Sequence, residues 1–224
     1  MQSTKKGFVY KAMTIVLTCG LSFLAIPNAN AYYYDDESDS EIKKRWIKEA
    51  NQGDAETQYI IGKEYLGDKE HPWKDKYGLR MFKTNIPEGI KWITRSANQG
   101  YMDAQIELGD LYRKGKIVRQ SGSKAIEWYS KAANQGDKES PGVLALMYRR
   151  GELVPVNAVK VIEWSEKGAS LGDTYAPYVA ADMYRIGDVV PQNLTEAKEW
   201  YGKSCDNGWA AACDKYRELN EQGY

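Results

Sequence analysis

Ala125-Ile126-Glu127-Trp128-Tyr129-Ser130-Lys131-Ala132-Ala133-Asn134-Gln135-Gly136 is the stretch that decides how this chain is read. Versions of it stand one step earlier, ending in Ala97-Asn98-Gln99-Gly100, and one and two steps later, ending in Gly172 and Gly208. Tryptophan recurs at Trp92, Trp128, Trp164 and Trp200, and glycine at Gly100, Gly136, Gly172 and Gly208, each on a step of 36 residues. A period of that size is the signature of stacked supersecondary units. Within the stretch, small and aromatic residues recur three and four apart, which is the helical period. The closing glycine stands where a helix ends on a left-handed residue. The stretch is helix B of a repeat.

A second helix, helix A, follows each of these glycines. Gly100 leads to Ala104, Leu108, Gly109 and Tyr112, Gly136 to Leu144, Ala145 and Tyr148, Gly172 to Ala180, Ala181 and Tyr184, and Gly53 to Ile61, Gly62 and Tyr65. The small residue nine places after the glycine (Gly62, Gly109, Ala145, Ala181) lets two helices approach closely, and the tyrosine three further on packs at the repeat junction. Pro141 and Pro177 fall in first turns, where a missing N–H does no harm. Asn85 with Glu88, and Asn193 with Glu196, have capping-box spacing ahead of helix B. Strand signals are absent. The expected fold is an all-α solenoid of helix pairs over 42–224, with a lone helix B near 41–51 and a lone helix A near 209–222 capping its ends. Gly53 to Gly100 is 47 residues rather than 36, so the first repeat carries an insertion of 11 residues near 67–85, with His71, Trp73, Tyr77 and Phe82 in it.

Ahead of the repeats, Lys5, Lys6 and Lys11 precede an apolar run over 12–26, and Ala29-Asn30-Ala31 closes it with small residues. Residues 1–31 therefore read as a secretory signal peptide. The run is about 15 residues long, short of the roughly 20 that span a bilayer. Residues 32–41, tyrosine-rich then acidic, read as a flexible N-terminus. Of 31 basic residues three leave with the leader, so 28 face 31 acidic ones. That balance lacks the basic footprint of nucleic-acid binding. Cys205 and Cys213 are the cysteines that remain, an even number in a chain expected to be exported, which suggests a disulfide.

These residues resemble the Sel-one-like repeat (SLR) family, a relative of the tetratricopeptide repeats. The second repeat carries the pattern nearly throughout: Ala104, Leu108, Gly109, Tyr112, Gly115, then Lys124, Ala125, Trp128, Tyr129, Lys131, Ala132, Ala133, Gln135 and Gly136. The resemblance covers about 46–223 and implies a right-handed α-solenoid of about four repeats whose inner face is lined by helix A. It also implies a protein-binding module, expected to be monomeric and without a cofactor.

On that helix A face, the positions the repeat leaves free are Tyr59, Ile106 and Tyr178; Lys63, Asp110, Leu146 and Asp182; and the row Arg113, Arg149, Arg185. Arginines flanked by tyrosines are good anchors for a protein partner. Trp73, Tyr77 and Phe82 in the insertion form a second candidate surface. Cys205 ends helix B and Cys213 begins the next helix A, so a helical hairpin brings them face to face; some secreted relatives carry cysteine pairs at similar spacing. The matching register of the four tryptophans points to packing rather than to a ligand ladder.

For catalysis the chain offers little. His71 is the single histidine, which rules out multi-histidine metal sites. Ser121-Gly122-Ser123-Lys124 contains a Ser-x-x-Lys pair of the β-lactam-enzyme type, without its companion motifs. The reading is a non-enzymatic periplasmic or secreted adaptor, with an immunity protein that neutralises a toxin as its sharper form. A cell-wall or β-lactam-active enzyme and a secreted effector that binds host proteins are the alternatives.

Overall fold

The structure, a computed structural model, describes residues 39–67 and 82–224, which fall in one compact unit, Ser38–Tyr224. Among the described residues ten helices follow one another: α1 (Asp39–Asn51), α2 (Ala55–Leu66), α3 (Ile86–Asn98), α4 (Met102–Lys114), α5 (Gly122–Asn134), α6 (Ser140–Arg150), α7 (Ala158–Leu171), α8 (Tyr175–Ile186), α9 (Leu194–Asp206) and α10 (Ala210–Glu221). Odd-numbered helices are B and even-numbered ones A. Each packs on the next, and α6 also packs on α8. This is the all-α solenoid, with α1 and α10 as its terminal half-units. The leader, most of 32–41 and most of the insertion lie outside the described residues. α1 starts at Asp39, so Asp39, Ser40 and Glu41 are helical rather than part of a flexible arm; acidic residues suit the positive end of a helix.

The B helices start on a common device. Asn85, Ser121, Asn157 and Asn193 are their N-caps, and each side-chain oxygen accepts from the amide three residues on. Each cap residue's own N–H donates to the carbonyl of the helix A tyrosine before it: Asn85 to Tyr65 (2.8 Å), Ser121 to Tyr112 (2.9 Å), Asn157 to Tyr148 (3.0 Å) and Asn193 to Tyr184 (2.9 Å). The first of these bonds spans 20 residues and the others nine, a difference equal to the insertion. The extra residues therefore leave the hairpin closure unchanged. The glycines that end the B helices have positive φ (92° at Gly100, 102° at Gly136, 106° at Gly208), a region L side chains rarely enter.

Close approach needs the small residues of helix A. A Cβ on Gly62 would stand 2.4 Å from Ile93 Cγ1, and one on Gly109 would stand 2.8 Å from the Tyr129 ring. The core follows as a string of clusters along the stack. Trp92, Trp128 and Trp200 are 5%, 7% and 4% exposed, as packing residues should be, while Trp164 is half-buried between two clusters. A cation covers the face of three of them: Arg95 over Trp92 (4.7 Å), Lys131 over Trp128 (4.0 Å) and Lys203 over Trp200 (3.7 Å). Phe82 joins this core as well. It is fully buried with Ala50, Ile61 and Trp92, edge-on to Tyr65 at 4.9 Å, with the Lys43 ammonium over its ring. It is therefore removed from the set of surface aromatics expected to bind a partner; an uncharged ring beside Tyr65 gains more from burial than from water.

Buried amides stitch the N-terminal repeats. Gln58 donates to Ala50 O (2.7 Å) and Gln105 to Ala97 O (3.0 Å), while Gln99 donates to Gln58 (2.7 Å) and Gln135 to Gln105 (2.6 Å). At the corresponding helix A positions later in the chain stand Pro141 and Pro177. In the turn after α6, Leu153 has φ 65°, the one described non-glycine residue with positive φ. Its carbonyl lies where a Cβ on Gly122 would stand, 2.4 Å away. Gly122 is thus what lets this turn rest on the start of α5.

Cys205 and Cys213 are bonded, with Cα atoms 4.7 Å apart, tying α9 to α10. Closing so short a loop contributes about 2.5 kcal/mol. Cys205→Ser with Cys213→Ser should lower stability by that amount in denaturant titration, and reduction of the parent should reproduce it; an unchanged midpoint would contradict the assignment. Gly109→Ala should destabilise by about 1–3 kcal/mol through overpacking against Tyr129. Gly202→Ala, whose added Cβ would stand 3.4 Å from Tyr216 in ordinary contact, should have a much smaller effect.

Candidate functional site

Helices α2, α4, α6, α8 and α10 present the face on which a partner was expected. The arginine row lies there, but each arginine is already engaged. Arg113 donates from Nε to the Tyr129 hydroxyl (3.2 Å) and from Nη1 to Glu152 (3.4 Å). Arg149 grips Asp188 through Nε and Nη2 (3.2 and 3.0 Å) and approaches Asp182 at 3.8 Å, its side chain only 11% exposed. Arg185 donates to Asp182 (3.0 Å) and to the Tyr201 hydroxyl (2.9 Å). The row is therefore engaged rather than free, and Arg113 and Arg149 join one repeat to the next. Glu152 and Asp188 are 36 residues apart and follow their arginines by 39, a register readable in the sequence.

Asp110 and Asp182 belong to the same network. Tyr129 donates its hydroxyl proton to Asp110, and Tyr201 donates to Asp182 at 2.7 Å. The second and fourth repeats thus share an Asp–Arg–Tyr group. The third has Leu146 and Ser165 at the matching positions, so Arg149 has no partner in its own repeat and reaches into the next. Burial, reinforced by Asp110, drives the Tyr129 pKa upward, and the same holds for Tyr201 beside Asp182. Lys63 is also spoken for, 2.9 Å from Glu107. Leu146 packs half-buried against the core between α6 and α8.

What remains open on this face is aromatic. Tyr59 lies against Tyr101 with ring centroids 5.4 Å apart. Tyr178 stacks on Trp209 at 4.5 Å, and Tyr175 adds itself to Trp209 at 5.6 Å. The two pairs are built alike: Tyr59 and Tyr178 stand six places after a repeat glycine, Tyr101 and Trp209 one place after a later one. Between them the matching positions hold Ile106 and Asp137, then Gly142 and Asp173. Tyr101 and Trp209 escaped the sequence reading because they sit in the turn before helix A, outside the positions compared. Burial pushes Tyr59 up to about 12, with Lys63 opposing and Glu107 and Asp103 adding to the rise. Tyr101 is raised by burial and by Asp103, Glu56 and Asp54. The first pair therefore sits in an acidic field. Trp73 and Tyr77 lie outside the described residues.

Elsewhere, Ser121 Oγ accepts from the Lys124 amide at 3.4 Å as the cap of α5, while the Lys124 ammonium lies 4.8 Å above the Tyr112 ring. The pair is arranged for capping and packing rather than for nucleophile activation. Among the described residues no cluster of three His, Cys, Asp or Glu is placed to hold a metal ion, and no helix is long and apolar enough to cross a membrane.

The fold and this face define a helical-repeat scaffold of the interaction type. The chain belongs to the Sel1 repeat family, whose profile matches residues 76–101, 103–137, 143–173 and 176–209; proteins of this family mediate protein–protein interaction. Its structure is similar to that of a protective antigen present in uropathogenic Escherichia coli strains that displays an SLR fold, at 27% identity and a TM-score of 0.61, over 80% of this chain and 36% of that one. It is also similar to a Sel1 repeat protein from Oxalobacter formigenes, at 27% identity and a TM-score of 0.56, over 75% of this chain and 63% of that one. The chain thus spans less than two thirds of either relative. No curated protein sequence matches it.

Two carboxylates, Asp110 in α4 and Asp173 in the turn before α8, titrate in opposite senses. Burial holds Asp173 above the ordinary aspartate range although the amides of Tyr175, Ala176 and Gly142 donate to it. Burial also pulls on Asp110, but the Lys114 and Tyr129 hydrogen bonds outweigh it and hold Asp110 low. A raised folded-state pKa means that ionised Asp173 opposes folding, so its contribution improves as pH falls from neutral through its folded-state pKa. Asp110 contributes stability above the unfolded value near 3.9, lost as pH falls through its lower folded-state pKa. Thermal melts across this range should show Asp173→Asn gaining most over the parent near neutral pH, and Asp110→Asn losing most there. An Asp173→Asn difference that grows on acidification would contradict the assignment.

Proposed function

We propose that this chain is a non-catalytic adaptor or regulator, exported to the periplasm or beyond the cell and monomeric, that binds one protein partner through its helix A face. The two aromatic pairs, Tyr59 with Tyr101 and Tyr178 with Trp209, carry this reading. They are the large aromatic side chains left on a face whose charged residues are otherwise joined to one another, and aromatics concentrate binding energy at interfaces. Ile106 lies between them. The leader read in 1–31 and the Cys205–Cys213 bond support export. The protective-antigen relative supports the same placement. An immunity protein acting on a periplasmic toxin is the finer form of this reading and rests on the family resemblance. A β-lactam- or cell-wall-active enzyme is disfavoured by the capping role of Ser121.

The experiment is affinity capture from cell-envelope extract with residues 32–224, followed by titration of the captured protein. Tyr59→Ala with Tyr178→Ala should weaken binding by about thirtyfold or more while the helical circular-dichroism signal is kept. A partner that binds the double variant as tightly as the parent would move the site off this face, and the segment around Trp73 and Tyr77 would be tested next.

A further inference from the structure

The turns that join helix A to helix B form an edge of the solenoid distinct from the aromatic face. They carry Ile117-Val118, Leu153-Val154 and Val189-Val190 in one register, two and three residues past the glycines Gly115, Gly151 and Gly187 that close α4, α6 and α8. Among the described residues, five of the nine exposed large hydrophobics lie on or beside this edge: Ile117 (41% exposed), Leu153 (39%), Val156 (52%), Val159 (66%) and Ile186 (48%). Leu153 is held at φ 65°, where glycine or asparagine is the ordinary choice. An apolar side chain at a position both strained and exposed marks a candidate point of contact.

The charge on the edge is one-sided. Glu152 is paired with Arg113 and Asp188 with Arg149. Lys116, Arg119 and Arg150 are exposed and have no carboxylate in ion-pair range among the described residues. Arg119 and Lys124 also line an open cleft of about 530 Å³ at the start of α5, a helix without an acidic residue in its first turn.

We propose that this edge docks on an anionic lipid surface. Val118, Val189 and Val190 pack on the core, whereas Ile117 and Leu153 are exposed at matching places in successive turns, close in sequence to the unmatched Lys116, Arg119 and Arg150, so a negatively charged surface can meet aliphatic tips and cations together. Tips of this kind enter the headgroup boundary while lysine and arginine are drawn to acidic lipids. A protein partner is the weaker fit. The exposed apolar residues of the edge are aliphatic, whereas protein interfaces draw on tryptophan and tyrosine, and they stand as separate tips rather than as one pocket. The proposal does not depend on the helix A face.

Residues 32–224 keep the whole compact unit Ser38–Tyr224 and omit the apolar leader, so they suit co-sedimentation with vesicles of phosphatidylglycerol and phosphatidylcholine, against phosphatidylcholine alone. Binding is expected to the acidic vesicles, weakened by salt. Ile117→Ser with Leu153→Gly removes two tips and relieves the backbone at 153; Lys116→Ala with Arg119→Ala and Arg150→Ala removes the charge. Each set should weaken binding by about tenfold or more, whereas Tyr59→Ala with Tyr178→Ala should leave it unchanged. Absence of binding to acidic vesicles, equal binding to neutral ones, or binding retained by both edge variants would overturn the proposal. Loss of a captured protein in the edge variants, with no vesicle binding by the parent, would overturn it in favour of a protein interface.

Discussion

Each A-to-B hairpin depends on one hydrogen bond, from the cap residue of helix B to the carbonyl of the helix A tyrosine. It satisfies a carbonyl at the end of one helix and an amide at the start of the next, groups that a helix cannot pair internally. It also fixes where the chain re-enters the stack. Once Asn85, Ser121, Asn157 and Asn193 hold Tyr65, Tyr112, Tyr148 and Tyr184 in this way, the glycine approaches at Gly62 and Gly109 and the buried tryptophans fall into register. The first repeat keeps the bond across its longer connection. Phe82, between its ends, is part of the core all the same.

Charge then does for the stack what the cap bond does for the hairpin. Arg113 to Glu152 and Arg149 to Asp188 each cross from one repeat to the next. These pairs are partly exposed, and such pairs individually stabilise by roughly 1 kcal/mol or less. Their effect is on register: a partner one repeat away sets the angle at which the next hairpin docks. With charged side chains occupied in this way, aromatic side chains are left as the distinctive chemistry of the helix A face.

The architecture was legible because its signals repeat. Helix pairs, the glycine stops, the asparagine caps, both half-units and the Cys205–Cys213 pairing can be read from spacing, since each is a local or short-range constraint. The face was read less well, for a physical reason. Arg113, Arg149 and Arg185 look free when one helix is considered alone; the partners of Arg185 lie on its own helix and on the helix B that follows it, and Arg113 and Arg149 also reach into the next repeat. Phe82 looks like a loop aromatic until the hairpin closes over it. Tyr101 and Trp209 become neighbours of Tyr59 and Tyr178 only when helices stack. Contacts between repeats are long-range in sequence, and they decide which side chains remain open.

The disulfide between α9 and α10 gives the stack a direction. In a nearest-neighbour array the terminal units open first, and among the described residues the last hairpin is covalently closed while α1 is held by non-covalent contacts. Fraying therefore begins at the N-terminal end and advances toward the locked hairpin. A protease or an unfolding machine would meet a chain that yields from one side. The Tyr59–Tyr101 pair lies in the part that loosens early, and the Tyr178–Trp209 pair in the part that holds longest.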